Sequence, residues 1–295
     1  MPDSPAEPAQ CGFGVRLARV VAARGALCAG IDPHPELLRQ WGLDDDVAGL
    51  ERFARGAVEA LAPEVAVIKP QSAFFERYGS RGVAVLERVL VAARDAGALA
   101  LLDVKRGDIG STMAGYAAAY LSDGAPLAAD AITVSPYLGV GALEPAFELA
   151  SGTGRGVFVL ALTSNPEGAA VQAALTSAGS TVGQSVIDAV TARNIGPFGD
   201  IGVVVGATTP AGALRLEAVN GPILAPGIGA QGARLADLRQ VFGAALRHVL
   251  PATSRELLRH GPEPASLRHA ARRMADEAAE LLEFPSRQVG GGTPR

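Results

Sequence analysis

A chain of 295 residues with 48% hydrophobic content can bury a large core, and its length fits either two small domains or one closed α/β barrel. The net charge of -4 with scattered Lys and Arg excludes the basic stripe of a nucleic-acid-binding surface, and no apolar run reaches membrane-spanning length, so the expectation is a cytoplasmic protein with neither nucleic-acid nor membrane partners. Two Cys without CxxC spacing and four dispersed His offer neither a disulfide framework nor a zinc cluster, which leaves carboxylates as the only class of residue that could hold a metal.

In chain order, "MPDSPAEPAQ" at 1–10 is predicted disordered from its Pro and charge content, with no basic start to a signal segment. "GVRLARVVAARG" at 14–25 carries an apolar face at helical spacing, the pattern of a helix that closes a barrel floor. Eight β-rich or apolar runs then mark strands: 27–31 "LCAGI", 65–68 "VAVI", 98–104 "ALALLDV", 130–134 "DAITV", 157–162 "VFVLAL", 201–205 "IGVVV", 222–225 "PILA" and 246–250 "LRHVL". Between them lie helical patterns such as 47–61 and 80–96, apolar on one side and charged on the other. Strand and helix in alternation predict parallel strands joined by crossovers, and eight of them predict a single (β/α)8 barrel over 11–284. The seventh and eighth strands are short, and 285–295 "PSRQVGGGTPR" is predicted disordered.

In such a barrel the chemistry lies where strands end, at the C-terminal face. The first strand ends at Asp32, the second at Lys69, and the third at Asp103 and Lys105. One such pair is most simply a satisfied ion pair, but opposite charges at three successive strand ends point to a site. Regular strand geometry puts Asp103 and Lys105 on one face, roughly 7 Å apart. Farther on, Gly227-x-Gly229-x-x-Gly232 taken alone matches a dinucleotide fingerprint. Its place after the seventh strand favours phosphate instead, because barrels commonly bind phosphate in the loops after strands seven and eight. Gln231 and Arg255 would clamp that phosphate, with Arg255 supplying paired donors. In the alternative, Arg255 is a helix-surface residue following Ser254 as an N-cap. His34, beside Asp32 in a Pro-flanked turn, is read as structural, Cys28 as buried, and Trp41, Phe74, Phe75 and Tyr78 as packing or interface residues.

"DVKRGDI" at 103–109 is an Asp-x-Lys-x-x-Asp-Ile sequence that resembles the signature of the orotidine 5'-phosphate decarboxylase family. "LCAGIDPH", "VAVIKPQSAFFE", "ITVSPYLG", "LALTSNPEG", "VVVGATTP", "LAPGIGAQG" and "LPATSRE" stand around it in that family's order, so the resemblance covers roughly residues 13–283 and is greatest to its longer bacterial branch. The resemblance implies cofactor-independent, metal-free decarboxylation of orotidine 5'-monophosphate to UMP in pyrimidine biosynthesis. It implies a charged network of Lys69, Asp103 and Lys105, with Asp108 completing the site of a second subunit in a homodimer. It further places Asp32 on a ribose hydroxyl, Ile109 and Thr112 beside the nucleotide near the interface, Ser164 on the pyrimidine edge, and Gly229, Gln231 and Arg255 at the phosphate. Gln71, in "KPQSAFF", departs from the expected pattern, and its role stays open.

The chemistry fits these residue types. Loss of CO2 from C6 leaves an in-plane carbanion with no adjacent carbonyl, so a fixed ammonium at Lys105 would have to stabilise it and then donate the proton. Asp103 beside the departing carboxylate would repel it by about 5 kcal/mol at roughly 3 Å and an effective dielectric of about 20. Two other functions remain open at this level. One is a sugar-phosphate lyase of the same suprafamily, using Mg2+ held by carboxylates to stabilise an enediolate, and the other is a nucleotide-binding barrel without turnover.

Overall fold

The structure, a computed structural model, describes residues 11–196, 198–229 and 232–282. The two predicted disordered tails, 1–10 and 285–295, lie outside the described residues, as does Gln231.

Eight parallel strands close in sequence order into one barrel: β1 (Cys28–Ile31), β2 (Val67–Pro70), β3 (Leu99–Arg106), β4 (Ala131–Val134), β5 (Gly156–Leu162), β6 (Ile201–Val205), β7 (Ile223–Pro226) and β8 (Val249–Thr253). Each ladder is parallel, including β1 with β8, and helices stand in every connection except that from β6 to β7, which has turns alone, so this is the (β/α)8 architecture with one helix missing. The strands are buried on both faces because their inner side chains fill the barrel and their outer ones meet the helices. They accordingly read as continuous apolar runs rather than alternating ones.

The helix at Val47–Leu61 occupies the predicted span, with the Asp46 side chain capping it by accepting from the Gly49 N–H at 2.7 Å. The helix at Phe13–Arg24 lies across the N-terminal end of the barrel, as its apolar face predicts. There Phe13 meets Phe158 edge-on, the Gly14 N–H donates to Asp200, and Arg16 pairs with Asp130 at 2.5 Å.

Three strands are displaced as a whole from the sequence expectation, while β3 runs two residues beyond 104 and the ends of β1, β4 and β5 differ by one. β2 lies two residues later than 65–68 and so includes Lys69, and β7 lies one residue later than 222–225. β8 lies at 249–253 rather than 246–250, because Gly243–His248 forms 3-10 turns. β8 also contains Pro251, a residue without the N–H that an interior strand donates. It is accommodated because β8 pairs with β1 only from Ala252 onward.

That first-to-last ladder joins just Cys28 with Ala252 and Ala29 with Thr253. It is reinforced outside the strands, where Trp41 Nε1 donates to the Leu258 carbonyl at 2.9 Å and Gln40 Nε2 to that of Arg259 at 3.0 Å. Gly261 lies so close to the indole that a Cβ there would come within 2.1 Å of it.

Candidate active site

The C-terminal ends of β2, β3 and β4 bring three polar side chains together around the carboxylate of Asp103. Lys105 Nζ donates to Oδ1 at 2.7 Å, Thr133 Oγ1 donates to the same oxygen at 2.7 Å, and Lys69 Nζ donates to Oδ2 at 3.4 Å. Asp103, Lys69 and Thr133 are buried, whereas the Lys105 side chain is 44% exposed at the mouth. Burial pushes the Asp103 carboxyl up, but Lys69, Lys105 and the hydrogen bonds outweigh it and hold the carboxyl down at about 2. Burial likewise favours the neutral form of Lys69, and the negative charge of Asp103 and Asp32 overrides it, so the Lys69 ammonium is held charged.

The geometry at Lys105 is not that of a regular strand. Between Leu102 and Arg106 the chain takes four steps while β4 takes two, from Ile132 to Val134, so β3 bulges through Asp103–Lys105. Lys105 has φ +48, the one left-handed non-glycine residue among those described. The expected 7 Å separation of two side chains on a flat strand therefore does not apply. The bulge turns the ammonium back onto the carboxylate.

Asp32 directly follows β1, with its Oδ1 buried and without a hydrogen-bond partner among the described residues, a condition that a ligand hydroxyl would relieve. Cys28 is buried, as expected, and burial pushes its thiol up to about 12. His34 packs its ring on Phe74 at 4.2 Å, in keeping with a structural role. The main chain around Gln71 links three strands, its N–H donating to the Ile31 carbonyl at 3.3 Å and that of Ser72 to the Asp103 carbonyl at 3.1 Å.

Asp108, Ile109 and Thr112 lie on the β3 loop and the first turn of the helix Gly110–Leu121. Asp108 accepts from the Ile109 N–H at 2.8 Å and, among the described residues, pairs with neither lysine of its own chain. Ile109 is 61% exposed, as are Tyr137 (79%) and Leu138 (52%) on the next loop. The two loops touch: the Ser135 N–H donates to the Arg106 carbonyl, and a Cβ on Gly107 would come within 2.3 Å of the Ser135 oxygen. An exposed apolar edge thus borders the charged cluster.

On the far side of the mouth, Gly229 has φ +80, and a Cβ on it would come within 2.6 Å of Glu256 Cβ. Arg255, exposed, starts the four-residue helix after β8. Ser254 holds the N-cap position of that helix without a side-chain cap hydrogen bond, and its buried Oγ has no partner among the described residues, so Arg255 is, as in the alternative reading, a residue on the surface of a helix start. Ser164 is exposed after β5, on the wall of a cavity of about 280 Å³ shared with Thr163, Gln172, Thr181 and Thr209. A larger hollow of about 1730 Å³ opens beside Asp200 and His248, next to the N-terminal strand ends, and none of the predicted site residues lines it. Among the described residues no three His, Cys, Asp or Glu groups gather as metal ligands would.

Thr133 and Ser254 were not among the predicted site residues. Thr133 in "AITV" looks like one more β-branched core position, and Ser254 looks like a cap. The signal for Thr133 is polarity inside a strand, and for Ser254 polarity in the residue directly after one.

The family model of the orotidine 5'-phosphate decarboxylase / HUMPS family matches residues 25–269. An orotidine 5'-phosphate decarboxylase of Salinispora arenicola is 65% identical over 272 residues, which cover 92% of this chain and 98% of that protein. One from Streptomyces coelicolor is 60% identical over 267 residues, covering 90% and 96%. Among solved structures, a Streptomyces avermitilis chain described as an orotidine 5'-phosphate decarboxylase superposes with a TM-score of 0.91 at 57% identity, covering 95% of this chain and 99% of that one.

Proposed function

Because the chain belongs to the orotidine 5'-phosphate decarboxylase / HUMPS family, we propose that it converts orotidine 5'-monophosphate to UMP and CO2 at the mouth formed by β1, β2, β3 and β8. It is a carboxy-lyase of UMP biosynthesis, and the work of catalysis falls to its own side chains. The observation that supports this assignment is the ammonium of Lys105, exposed at the mouth and fixed 2.7 Å from a buried carboxylate.

The C6–carboxylate bond breaks, CO2 leaves, and the electron pair remains on C6. Lys105 stabilises that charge and then transfers a proton to it, regaining one from solvent at its exposed end. A charge held in place before reaction needs little reorganisation during it. Asp103 is shared between two ammonium groups, so its repulsion of the substrate carboxylate falls below the bare-pair figure, and orienting Lys105 is its larger part. Asp32 takes a ribose hydroxyl on its unpartnered oxygen, Ser164 the pyrimidine edge, and Gly229, Gln231 and Arg255 the phosphate. Asp108 reaches the site of a second copy across the edge carrying Ile109, with Thr112 beside it, in a cytoplasmic homodimer.

The test is the loss of orotidylate absorbance with purified protein, with and without EDTA. Conversion to UMP that EDTA does not slow is the expected result. Conversion abolished by EDTA and restored by Mg2+ would replace this mechanism with the carboxylate-held metal.

A further inference from the structure

We propose that Thr133 is a positioning residue for this reaction: its single hydroxyl ties the left-handed main chain of Lys105 to the carboxylate of Asp103 and so fixes where the ammonium stands. The inference rests on the assignment of Lys105 as the proton donor.

A hydroxyl can donate one hydrogen bond while accepting others, and Thr133 does both at once. Its oxygen accepts from the Lys105 N–H at 3.0 Å and donates to Asp103 Oδ1 at 2.7 Å. The same carboxylate oxygen accepts from Lys105 Nζ at 2.7 Å. Main chain, hydroxyl, carboxylate and ammonium thus form a closed ring of contacts that passes through Lys105 twice. Freed from the ring, the lysine could keep its ion pair while its backbone moved.

The position of Thr133 makes this more than a local hydrogen bond. It sits on β4 between Ile132 and Val134, the two residues that flank the bulge of β3 in the register, and so stands opposite the extra residues. A bulge takes its residues out of the ladder, and here the hydroxyl supplies the acceptor that the strand no longer does. A left-handed conformation in a non-glycine residue persists only where its surroundings over-determine it. Thr133 is 1% exposed, so water has no access to replace the hydroxyl. Threonine is also stiff at χ1, which aims the oxygen without further support. A valine of the same shape would keep the packing and remove both contacts, leaving the Lys105 main chain free to return to an extended conformation and carry the ammonium off its line to C6.

Four variants test the assignment: T133V, T133A, T133S and, as the control on the site itself, K105A. Turnover, KM and the Kd for UMP are measured for each. T133V should lose about 10- to 100-fold in kcat, the range for removing a hydrogen bond to an ionised group, with KM and the UMP Kd within about threefold of the parent. T133S should recover most of the loss. Should the valine variant not fold, T133A carries the comparison with T133S. Three results overturn the inference: T133V turning over within threefold of the parent, T133S as impaired as T133V, or UMP binding weakening in step with turnover, which would make Thr133 a support of the fold. If K105A retains activity, the assignment of the proton donor fails first and the inference falls with it, whereas an inactive K105A beside an unimpaired T133V overturns the Thr133 role alone.

Discussion

Replacing Asp103 by asparagine keeps the shape of the side chain and removes the charge that two lysines share. Asp103 is 9% exposed and Lys69 6%, so the substitution leaves a buried ammonium without its nearest counterion. Breaking a buried pair from one side destabilises by about 3–5 kcal/mol, and the lower end applies here because Asp32 still faces Lys69. The pH dependence gives a second figure. The Asp103 carboxyl is lowered from 3.8 to about 2, which at 1.36 kcal/mol per unit is roughly 2–3 kcal/mol of native-state stabilisation. A depressed carboxylate contributes that stability above its unfolded pKa and loses it as pH falls through the folded one, so the window is pH 4 to 2. The raised lysine acts in the opposite sense: its contribution is complete below its unfolded pKa and is lost only in strong alkali. Urea unfolding of the parent and D103N at pH 7, and at steps from pH 5 to 2, should therefore show a gap of about 3 kcal/mol that narrows by roughly 2 kcal/mol toward the acid end. A gap below about 1 kcal/mol at pH 7, or one that stays constant down to pH 2, would refute the buried network as an energetic unit.

Other outcomes follow from the same geometry. K105A should fold and lose turnover, and retained activity within tenfold would dismiss Lys105 as the acid. K105G should be the more stable of the two by about 1 kcal/mol, because glycine adopts φ +48 without the Cβ penalty; equal urea midpoints would argue against a left-handed residue there. R255A should raise KM strongly while changing stability by no more than about 0.5 kcal/mol, as befits an exposed side chain, and an unaltered KM would dismiss the phosphate clamp. Mixing inactive K105A and D108A chains should restore activity that neither shows alone, since one site of each mixed dimer regains both native residues; mixtures that stay inactive would count against sharing across the interface.

Most of the barrel was legible because a strand buried on both faces needs a continuous apolar run, and seven of the eight runs lie within two residues of their strands. The eighth lies three residues off, because the apolar run begins within the Gly243–His248 turns and the strand continues through Pro251 to Thr253. The candidate site was legible as types of residue at strand ends, since Asp32, Lys69, Asp103 and Lys105 interrupt apolar runs at equivalent places. Its geometry was not. The bulge that folds Lys105 back onto Asp103 arises from unequal step counts on β3 and β4, a relation between two segments that neither contains alone. Thr133 escaped for the same reason, because a threonine among Ala, Ile and Val declares its hydroxyl only when the partner strand is in place.

The clasp between Trp41 and the Leu258 carbonyl joins residues 217 positions apart. Bringing such distant points of a chain together costs about 5 kcal/mol in closure entropy before any contact offsets it. This makes the β1–β8 ladder, the seam where the first and last strands of the chain meet, the natural opening line of the ring. A nucleotide held by Asp32 at one side and Arg255 at the other would lie across that line. Ligand occupancy should then act as a staple, so that substrate, while being turned over, also slows the breathing of the barrel that holds it.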